Sequence, residues 1–335
     1  MHPTDTRGRS MRDLRISVTD RCNFRCTYCM PKGVFGRDYA FMPQDQLLSF
    51  EELERVTRAF VGLGVNKVRL TGGEPLMRRD LETLVSRLAS IPGVDDLALT
   101  TNGSFPISRV QSLKDAGLSR MTVSLDALDD ETFMKLNDVD FPAATVMAWI
   151  DASTSAGFAP VKINMVVKRG VNEHSILPMA RTFRTKGHIV RFIEYMDVGH
   201  SNGWRLQDVV TAREIRDRIH AELPLEPMQP NYRGEVAARY RYADGSGEIG
   251  IIASVSQPFC GACSRARLSA DGKLYTCLFA IQGTDLRGLM RSGASDEKLG
   301  AAITNVWKSR VDRYSELRSA DTEGLPKVEM SYIGG

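Results

Sequence analysis

The sequence predicts an α/β protein built on an incomplete (βα)6 TIM-like barrel. Over the first two thirds of the 335 residues, six short apolar runs alternate with helical patterns. Repeated alternation of strand and helix indicates a parallel sheet. Most of the strands have one polar and one apolar face, because side chains alternate faces along a strand. Six strands rather than eight predict an open barrel with room for a large ligand.

The individual elements follow from apolar runs and helical periodicity. We expect strands at Asp13–Val18, Lys67–Thr71, Leu97–Thr101, Met121–Asp126, Val161–Val167 and Val190–Met196. Helices with apolar residues three and four positions apart are expected between them. They span Phe50–Gly62, Asp80–Ala89, Ile107–Ala116, Asp129–Leu136, Ala143–Ser155 and Ser175–Thr185. We expect Asp80 and Asp129 to cap their helices.

The polar face of the strands is basic. Its members are Arg15, Ser17, Thr19, Lys67, Arg69, Thr71, Thr100, Asn102, Thr122, Ser124, Asp126, Lys162 and Asn164. The sixth strand is less regular, because Arg191 and Glu194 fall on opposite faces. Burying several cations without partners is costly, whereas a wet cavity that receives a polyanion avoids that cost. An open sheet with one solvated face is the alternative, although parallel sheets are ordinarily covered on both sides.

Three cysteines stand together after the first strand, at Cys22, Cys26 and Cys29, with the spacing C-x3-C-x2-C. Zinc normally takes four ligands, and a cubane iron–sulfur cluster is normally held by four cysteines. Three cysteines in one loop therefore suggest a 4Fe-4S cubane with one open iron. Three unrelated buried cysteines or a partial zinc site are the alternatives.

The remaining cysteines, Cys260, Cys263 and Cys277, form a second set with the spacing C-x2-C-x13-C. The first ten residues are polar and charged, so we expect no secretory signal and a cytoplasmic protein whose clustered cysteines bind metal. Zinc is the alternative here, but the nearest upstream histidine is His220. No apolar run has the length of a membrane span. The net charge of +3 gives no global indication of nucleic acid or membrane binding.

The amino-acid composition changes after His220, where three prolines, Pro224, Pro227 and Pro230, exclude a continuing helix. We place a domain boundary there, with the barrel at residues 1–223 and a C-terminal domain at 224–335. Two hairpins are expected in that domain, Ala237–Ala243 with Gly247–Val255 and Arg265–Ala270 with Lys273–Cys277, and then a helix at Asp296–Ser309. The final diglycine alone is typical of a frayed terminus.

The first cysteine set, with Tyr28 before its third member, resembles the cluster motif of the radical S-adenosylmethionine (SAM) enzymes. The turn Gly72-Gly73-Glu74-Pro75 resembles the family motif whose backbone holds the amino group of SAM. That turn is a weak signal alone, but the two motifs together are specific. Within these enzymes the whole chain is similar to the GTP 3′,8-cyclase family of molybdenum cofactor biosynthesis. The further matches are Phe35–Tyr39, Thr100–Gly103, Cys260–Arg267 with Cys277, and the diglycine end.

The resemblance implies two 4Fe-4S clusters and specific ligand contacts. The first cluster, on Cys22, Cys26 and Cys29, would cleave SAM, and the second, on Cys260, Cys263 and Cys277, would hold the guanine base at its open iron. SAM contacts are implied at Tyr28, Gly73, Ser124 and Met196. GTP contacts are implied at Arg15, Arg69, Thr100, Lys162, Arg265 and Arg267, the last two also as catalytic residues. Lys67 and Arg191 are further expected phosphate contacts.

The same resemblance implies the activity and the partners. A 5′-deoxyadenosyl radical would take the ribose 3′ hydrogen of GTP, and ring closure on carbon 8 would give 3′,8-cyclo-7,8-dihydro-GTP, the first step of molybdopterin cofactor biosynthesis. The family is expected to be homodimeric and functionally linked to cyclic pyranopterin monophosphate synthase, with no nucleic acid or membrane partner. Two alternatives are another radical SAM enzyme with an auxiliary cluster, such as a peptide-modifying maturase, and a non-enzymatic iron–sulfur carrier or zinc module. The few C-terminal cysteines argue against the first, and the polar lumen and the Gly-Gly-Glu-Pro turn against the second.

Overall fold

The structure, a computed structural model, describes residues 2–318 and 327–335. Twelve strands in these residues form one sheet. They are β1 Asp13–Ser17, β2 Lys67–Thr71, β3 Asp96–Thr101, β4 Arg120–Ser124, β5 Lys162–Val167, β6 Ile189–Glu194, β7 Leu225–Met228, β8 Ala238–Tyr242, β9 Glu248–Ile252, β10 Arg265–Leu268, β11 Lys273–Tyr275 and β12 Thr284–Asp285. The order across the sheet is β12-β11-β10-β1-β2-β3-β4-β5-β6-β9-β8-β7.

The α-helices of the described residues lie between and after the strands in chain order. They are α1 Phe50–Gly62, α2 Leu81–Ala89, α3 Ser108–Asp115, α4 Asp130–Asn137, α5 Ala143–Ser155, α6 Ile176–Arg184, α7 Ala212–Glu222, α8 Leu286–Arg291, α9 Asp296–Lys308, α10 Tyr314–Leu317 and α11 Met330–Ile333. Helix α7 was not predicted from the sequence. Asp129 caps α4 through its side chain, as expected. Asp80 also occupies the N-cap position of α2, as expected, but it adopts φ 55° and its side chain makes no capping hydrogen bond.

The predicted incomplete barrel is confirmed, since β1 to β6 are parallel and pair in chain order. The apolar face of these strands is fully buried, with Leu14, Ile16, Val68, Leu70 and Val123 each 0% exposed. The helices pack on this face, which leaves the polar face toward the lumen. The part of the chain that the structure describes contains no helix long and apolar enough to cross a membrane.

Strands from the last third of the chain extend both edges of this barrel. Strand β10 pairs in parallel with β1, and β9 pairs in parallel with β6. Each belongs to a predicted hairpin, β10 with β11 and β8 with β9, and both hairpins are antiparallel as expected. The sheet therefore contains strands from both sides of the expected domain boundary between residues 223 and 224. The boundary itself remains a prediction.

This arrangement places the two cysteine sets beyond opposite ends of β1. Arg265, at the start of β10, lies beside Asp13, at the start of β1. Cys263 precedes Arg265 by two residues, whereas Cys22 follows the last residue of β1 by five. A five-residue strand is roughly 15 Å long. The space between the two sets is therefore about one strand in length, and the polar faces of β10, β1 and β2 line it.

Candidate active site

A cavity of about 330 Å³ lies against the polar face of the barrel strands. Every residue to which the sequence assigned a ligand contact or a cluster lines this cavity. These residues are Cys22, Cys26, Cys29, Cys260, Cys263, Cys277, Tyr28, Gly73, Ser124, Met196, Arg15, Lys67, Arg69, Thr100, Lys162, Arg191, Arg265 and Arg267. The fold thus brings together positions that are up to 262 residues apart in the chain, from Arg15 to Cys277.

The first cysteine set lies on a tight loop held by an arginine. The backbone N–H of Cys29 donates to the carbonyl oxygen of Cys26 at 2.9 Å. The Arg25 guanidinium donates to the carbonyl oxygens of Cys22 at 2.7 Å and Phe24 at 2.8 Å. All three thiols are free. The loop backbone is therefore fixed by its own hydrogen bonds, and the sulfur atoms remain available as ligands.

The chemistry of this donor set fits an iron–sulfur cluster. Burial, together with neighbouring negative charge, raises the pKa of Cys22 to about 12 and raises the pKa of Cys26 and Cys29. Three buried thiolates are unfavourable without a compensating cation, and bound iron supplies that charge. Among the described residues no group of three His, Cys, Asp or Glu side chains is placed to hold one metal ion. That observation concerns a site for a single metal ion. It does not bear on a cubane, in which each cysteine binds a different iron.

The two glycines after β2 allow the turn to lie directly against the start of the cysteine loop. A Cβ atom on Gly72 would be 2.4 Å from the carbonyl oxygen of Thr19, and one on Gly73 would be 2.3 Å from that of Arg21. The N–H of Gly73 donates to the Thr19 carbonyl oxygen at 2.9 Å. The side of each glycine on which a Cβ atom would stand is therefore occupied by protein backbone.

Glu74 is the buried carboxylate of the same turn, at 1% exposure. It accepts hydrogen bonds from the N–H of Asn102 at 2.7 Å and from the hydroxyl of Thr101 at 2.8 Å. Burial raises the pKa of Glu74 to about 7. These bonds join the end of β3 to the turn after β2, and the Asn102 amide in turn contacts Asn23 of the cysteine loop at 2.9 Å.

Tyr28, the aromatic residue of the cysteine motif, is held by a second buried carboxylate. Its hydroxyl donates to Asp126 at 2.7 Å, and Asp126 also accepts the N–H of Val166 at 2.8 Å. Burial raises the pKa of Asp126 to about 6. The ring of Tyr28 is thereby fixed at the cavity wall between β4 and β5.

Cations fill the middle of the cavity wall. Arg267, Arg15 and Arg69 stand at the same register on the adjacent strands β10, β1 and β2. Burial and the neighbouring guanidinium groups hold the pKa of Arg15 well below its ordinary value, and they lower the pKa of Arg267 to about 10. Such clustering of like charge is unfavourable by itself, and a bound polyanion would relieve it.

Lys162 and Lys67 continue this cationic surface on β5 and β2. Burial, followed by the charge of Arg191, lowers the pKa of Lys162 to about 7, and burial lowers that of Lys67 to about 8. The Lys67 ammonium donates to the hydroxyl of Tyr232 at 2.8 Å.

Three buried polar atoms that line the cavity have no hydrogen-bond partner among the described residues. They are Nη1 of Arg265, Nε of Arg191 and Oδ1 of Asn164. Buried polar groups in proteins are ordinarily paired, so atoms of this kind indicate a missing polar ligand. Two of the three are cationic donors, which favours an anion.

The second cysteine set adjoins two arginines. Although burial opposes it, the charges of Arg265 and Arg310 lower the pKa of Cys263 to about 7. Arg310 donates to the sulfur of Cys263 at 3.2 Å and to its carbonyl oxygen at 2.7 Å. The thiols of Cys260 and Cys277 are also free. Three free thiols therefore fit a second cluster here, as three free thiols fit the first cluster at the other cysteine set. At this second set, fixed positive charge also lies beside the thiols.

The C-terminal tail packs into the cavity mouth. The Arg267 guanidinium donates to the carbonyl oxygen of Gly334, and the Thr71 hydroxyl donates to that of Gly335 at 3.3 Å. Gly334 has φ 75°, and a Cβ atom there would lie 2.3 Å from the Thr71 side chain. Only glycine fits so close an approach in this conformation.

Asp197 anchors the segments on both sides of residues 319–326. It accepts hydrogen bonds from the Tyr314 hydroxyl at 2.6 Å, Nε of Arg318 at 2.9 Å and the Lys327 ammonium at 2.8 Å. Although burial opposes it, the hydrogen bonds from Lys327 and Tyr314 hold the pKa of Asp197 below its ordinary value. A charged Asp197 therefore fixes the chain that leads into the tail.

Sequence reasoning missed Tyr232, Arg310 and Asp197. Each acts through a partner distant in sequence, since Lys67, Cys263 and Lys327 lie 165, 47 and 130 residues away. No local pattern marks such residues. Their only sequence signal is polarity within otherwise unremarkable loops.

The fold and the cysteine loop define a radical SAM enzyme. The family model for the radical SAM superfamily matches residues 16–183, and the model described as Molybdenum Cofactor Synthesis C matches residues 188–316. A solved structure of Streptococcus suis SuiB bound to S-adenosylmethionine superposes with a TM-score of 0.63 at 15% identity. The match covers 92% of this chain and 68% of that one. At that identity the likeness shows the fold alone.

Curated relatives define the family more narrowly. The chain is 54% identical to the GTP 3′,8-cyclase of Acidothermus cellulolyticus and 51% identical to that of Staphylococcus carnosus, over 99% of this chain and 98% of each relative. It is 52% identical to the GTP 3′,8-cyclase of Xanthomonas campestris, over 99% of this chain and 97% of the relative. The chain belongs to the GTP 3′,8-cyclase family.

Proposed function

We propose that this chain converts GTP to (8S)-3′,8-cyclo-7,8-dihydroguanosine 5′-triphosphate, the first step of molybdopterin cofactor biosynthesis. The observation that carries the proposal is one cavity that has a cysteine set at each end and nine arginine and lysine side chains on its wall. Seven of them are the cations that the sequence predicted as GTP or phosphate contacts, namely Arg15, Lys67, Arg69, Lys162, Arg191, Arg265 and Arg267. A nucleoside triphosphate is a suitable anion for these side chains, and the full-length relatives named GTP 3′,8-cyclase support the assignment.

The two cysteine sets are the proposed holders of two 4Fe-4S clusters. Cys22, Cys26 and Cys29 would hold the cluster that, when bound, splits SAM to the 5′-deoxyadenosyl radical which takes the ribose 3′ hydrogen. Cys260, Cys263 and Cys277 would hold the second cluster, beside the guanine base. The free state of all six thiols supports both assignments.

Four cavity residues on the side of the first cysteine set are the proposed SAM contacts. They are Tyr28, Gly73, Ser124 and Met196. Tyr28 is immobilised by Asp126 at 2.7 Å, and the Met196 thioether accepts a hydrogen bond from Ser254 at 3.5 Å. These bonds fix the wall before a ligand binds, which lowers the entropic cost of orienting it.

The cations between the cysteine sets are the proposed contacts of the triphosphate. Arg15, Arg69 and Arg267 stand side by side, so their guanidinium groups can share the phosphate oxygens by charge-assisted hydrogen bonds. Lys162 and Thr100 approach from the neighbouring strands, and Arg265 contributes an Nη1 donor that has no partner in the described structure. Binding would relieve the mutual repulsion of these cations while orienting the ribose between the cysteine sets.

Anaerobic incubation with SAM, dithionite and either GTP or ATP tests the proposal. We expect cyclisation of GTP and not of ATP, and we expect GTP deuterated at the 3′ carbon to deliver its label to 5′-deoxyadenosine. GTP deuterated at the 2′ carbon is the matched control and should deliver none. Equal turnover of ATP, or label transferred only from another ribose position, would contradict the proposed substrate or the proposed atom.

A homodimer, a functional link to cyclic pyranopterin monophosphate synthase and a cytoplasmic location are proposed on the family resemblance. Gel filtration coupled to light scattering under anaerobic conditions tests the dimer. A mass of about 37 kDa, that of one chain, would contradict it.

A further inference from the structure

Arg310 presents a charged donor directly to a sulfur of the second cysteine set. One Nη atom donates to the Cys263 sulfur at 3.2 Å, and the other donates to the Cys263 carbonyl oxygen at 2.7 Å. The Arg310 side chain is only 1% exposed. Water therefore does not screen this contact, and the guanidinium has little freedom to leave it.

The guanidinium of Arg310 is held in place from three sides. Its Nε lies 3.2 Å from Asp312, its Nη1 lies 3.6 Å from Asp5, and its carbon lies 4.6 Å from the centre of the Trp307 ring. Trp307 is itself fixed, because its indole N–H donates to the Arg9 carbonyl oxygen at 2.9 Å. Two acidic side chains and an aromatic ring therefore hold Arg310 in position against the Cys263 sulfur.

Within the described residues, no charged donor is hydrogen-bonded to a sulfur of the first cysteine set, although the charge of Arg25 acts on Cys22 from nearby. Arg25 binds the carbonyl oxygen of Cys22 rather than its sulfur. The donors to the Cys22 sulfur are the backbone N–H of Phe24 at 3.4 Å and the amide of Asn102 at 4.0 Å. The two sets therefore differ in the kind of donor that reaches sulfur, a cation in the second and neutral groups in the first.

Hydrogen bonds and positive charge at cluster sulfurs stabilise the reduced state, because reduction adds one negative charge to the cluster. We propose that Arg310, through its bond to the Cys263 sulfur, raises the reduction potential of the second cluster, so that the two clusters of one chain differ in how readily each accepts an electron. Arg310 acts through Cys263 and is a positioning and charge-setting residue, not a catalytic one. The inference rests on the second cluster of the proposed function.

The reduction potential of each cluster, measured in full-length protein that lacks the cysteines of the other cluster, tests this proposal. In full-length protein with Cys22, Cys26 and Cys29 changed to Ala, the second cluster is titrated with dithionite and followed by electron paramagnetic resonance. Each cluster takes up one electron from the reductant. We expect Arg310→Gln to lower the equilibrium constant for reduction at least about tenfold, which for one electron is about 59 mV more negative. Arg310→Lys, which keeps a charge, should fall between this variant and the parent.

Two controls separate the possible causes. Arg213→Gln changes an exposed arginine of α7 and should leave the potential unchanged. Arg310→Gln in protein lacking Cys260, Cys263 and Cys277 should leave the first cluster's potential unchanged. Protein that keeps all six cysteines but holds only about four irons would refute the second cluster, which is a failure of the proposed function rather than of the role of Arg310.

The remaining outcomes decide the role of Arg310 itself. A normal iron content with an unchanged potential in Arg310→Gln would overturn the proposal. Arg310→Met, which fills similar space without charge, provides a further variant if Gln loses iron. Loss of the second cluster in the Gln, Met and Lys variants alike would show that Arg310 holds the cluster in place rather than setting its potential, and would also overturn the proposal.

Discussion

Arg267 donates a hydrogen bond to the carbonyl oxygen of Gly334, so a residue in the proposed triphosphate site also binds the end of the chain. Arg267 is only 4% exposed, and beside it lies Arg15. The tail thus supplies a hydrogen-bond acceptor to an arginine that stands beside other guanidinium groups. This relationship links the C-terminal residues to the proposed triphosphate site.

Deletion of Gly334 and Gly335 should abolish cyclisation while leaving both clusters and SAM cleavage largely intact. The deletion removes the acceptor of Arg267 and the contact with Thr71, but no strand of the barrel. Product and 5′-deoxyadenosine are measured separately by chromatography. A peptide ending Tyr-Ile-Gly-Gly should partly restore product, and a truncated enzyme with normal cyclisation would contradict the prediction.

Asp197→Asn should loosen the tail and reduce cyclisation more than SAM cleavage. The carboxylate binds Lys327 and Arg318, and removing one member of a buried ion pair costs about 3 kcal/mol or more. Hydrogen exchange of residues 327–335 should become faster. Asp217→Asn, on the exposed face of α7, is the matched control. Unchanged exchange of the tail in Asp197→Asn would refute the anchoring role.

The iron content of purified protein should show separately whether each cysteine set holds a cluster. Reconstituted protein should contain about eight irons, four for each cubane. Changing Cys22, Cys26 and Cys29 to Ala should halve the content and abolish SAM cleavage. Changing Cys260, Cys263 and Cys277 should also halve it but leave uncoupled SAM cleavage. Stoichiometric zinc in the second set of an active enzyme would contradict the assignment.

Arg265→Ala and Arg267→Ala should each lower kcat/KM for GTP at least about thirtyfold. Each change removes a charge-assisted bond, which corresponds to about 2 kcal/mol of transition-state stabilisation. Steady-state kinetics measure the effect, and Arg213→Ala is the exposed control. Uncoupled SAM cleavage should persist in both variants. A change smaller than threefold in both would exclude these residues from the substrate site.

GTP binding should take up a proton above neutral pH. Lys162 has a pKa lowered to about 7 by burial and by Arg191, so it is charged below that pH and mainly neutral at pH 8. A bound triphosphate favours the charged form and raises the pKa, so binding at pH 8 draws a proton from solution. Calorimetry in buffers of different ionisation enthalpy measures the uptake. Lys162→Arg, which stays charged, should reduce it, and equal uptake in that variant would contradict the assignment to Lys162.

Local periodicity was enough to predict the barrel and its polar lumen. Helix α1 has the expected limits, Phe50–Gly62, because its apolar residues recur at helical spacing and Ser49 caps it through a reciprocal bond with Glu52. Alternation along β1 and β2 likewise placed Arg15 and Arg69 on one face. Such features depend on neighbouring residues, which is why the sequence alone reveals them.

Pairing between distant strands could not be predicted in the same way. The hairpins containing β9 and β10 were expected, but nothing in either sequence indicates that one lies against β6 and the other against β1. The same limitation applies to Arg310, whose partner Cys263 lies 47 residues away in the chain. Helix α7 escaped prediction although it has a capping box of Thr211 and Glu214, a local signal that was not used.

The parallel pairing of β10 with β1 and of β9 with β6 also protects the barrel against self-association. An isolated fragment of residues 1–223 would expose the unpaired backbone amides and carbonyls of two interior strands along their whole length. Exposed strand edges of this kind recruit other chains and promote aggregation. Strands from the C-terminal third thus cover both edges of the barrel, and we expect a newly synthesised chain to be most prone to aggregate before those two hairpins have left the ribosome.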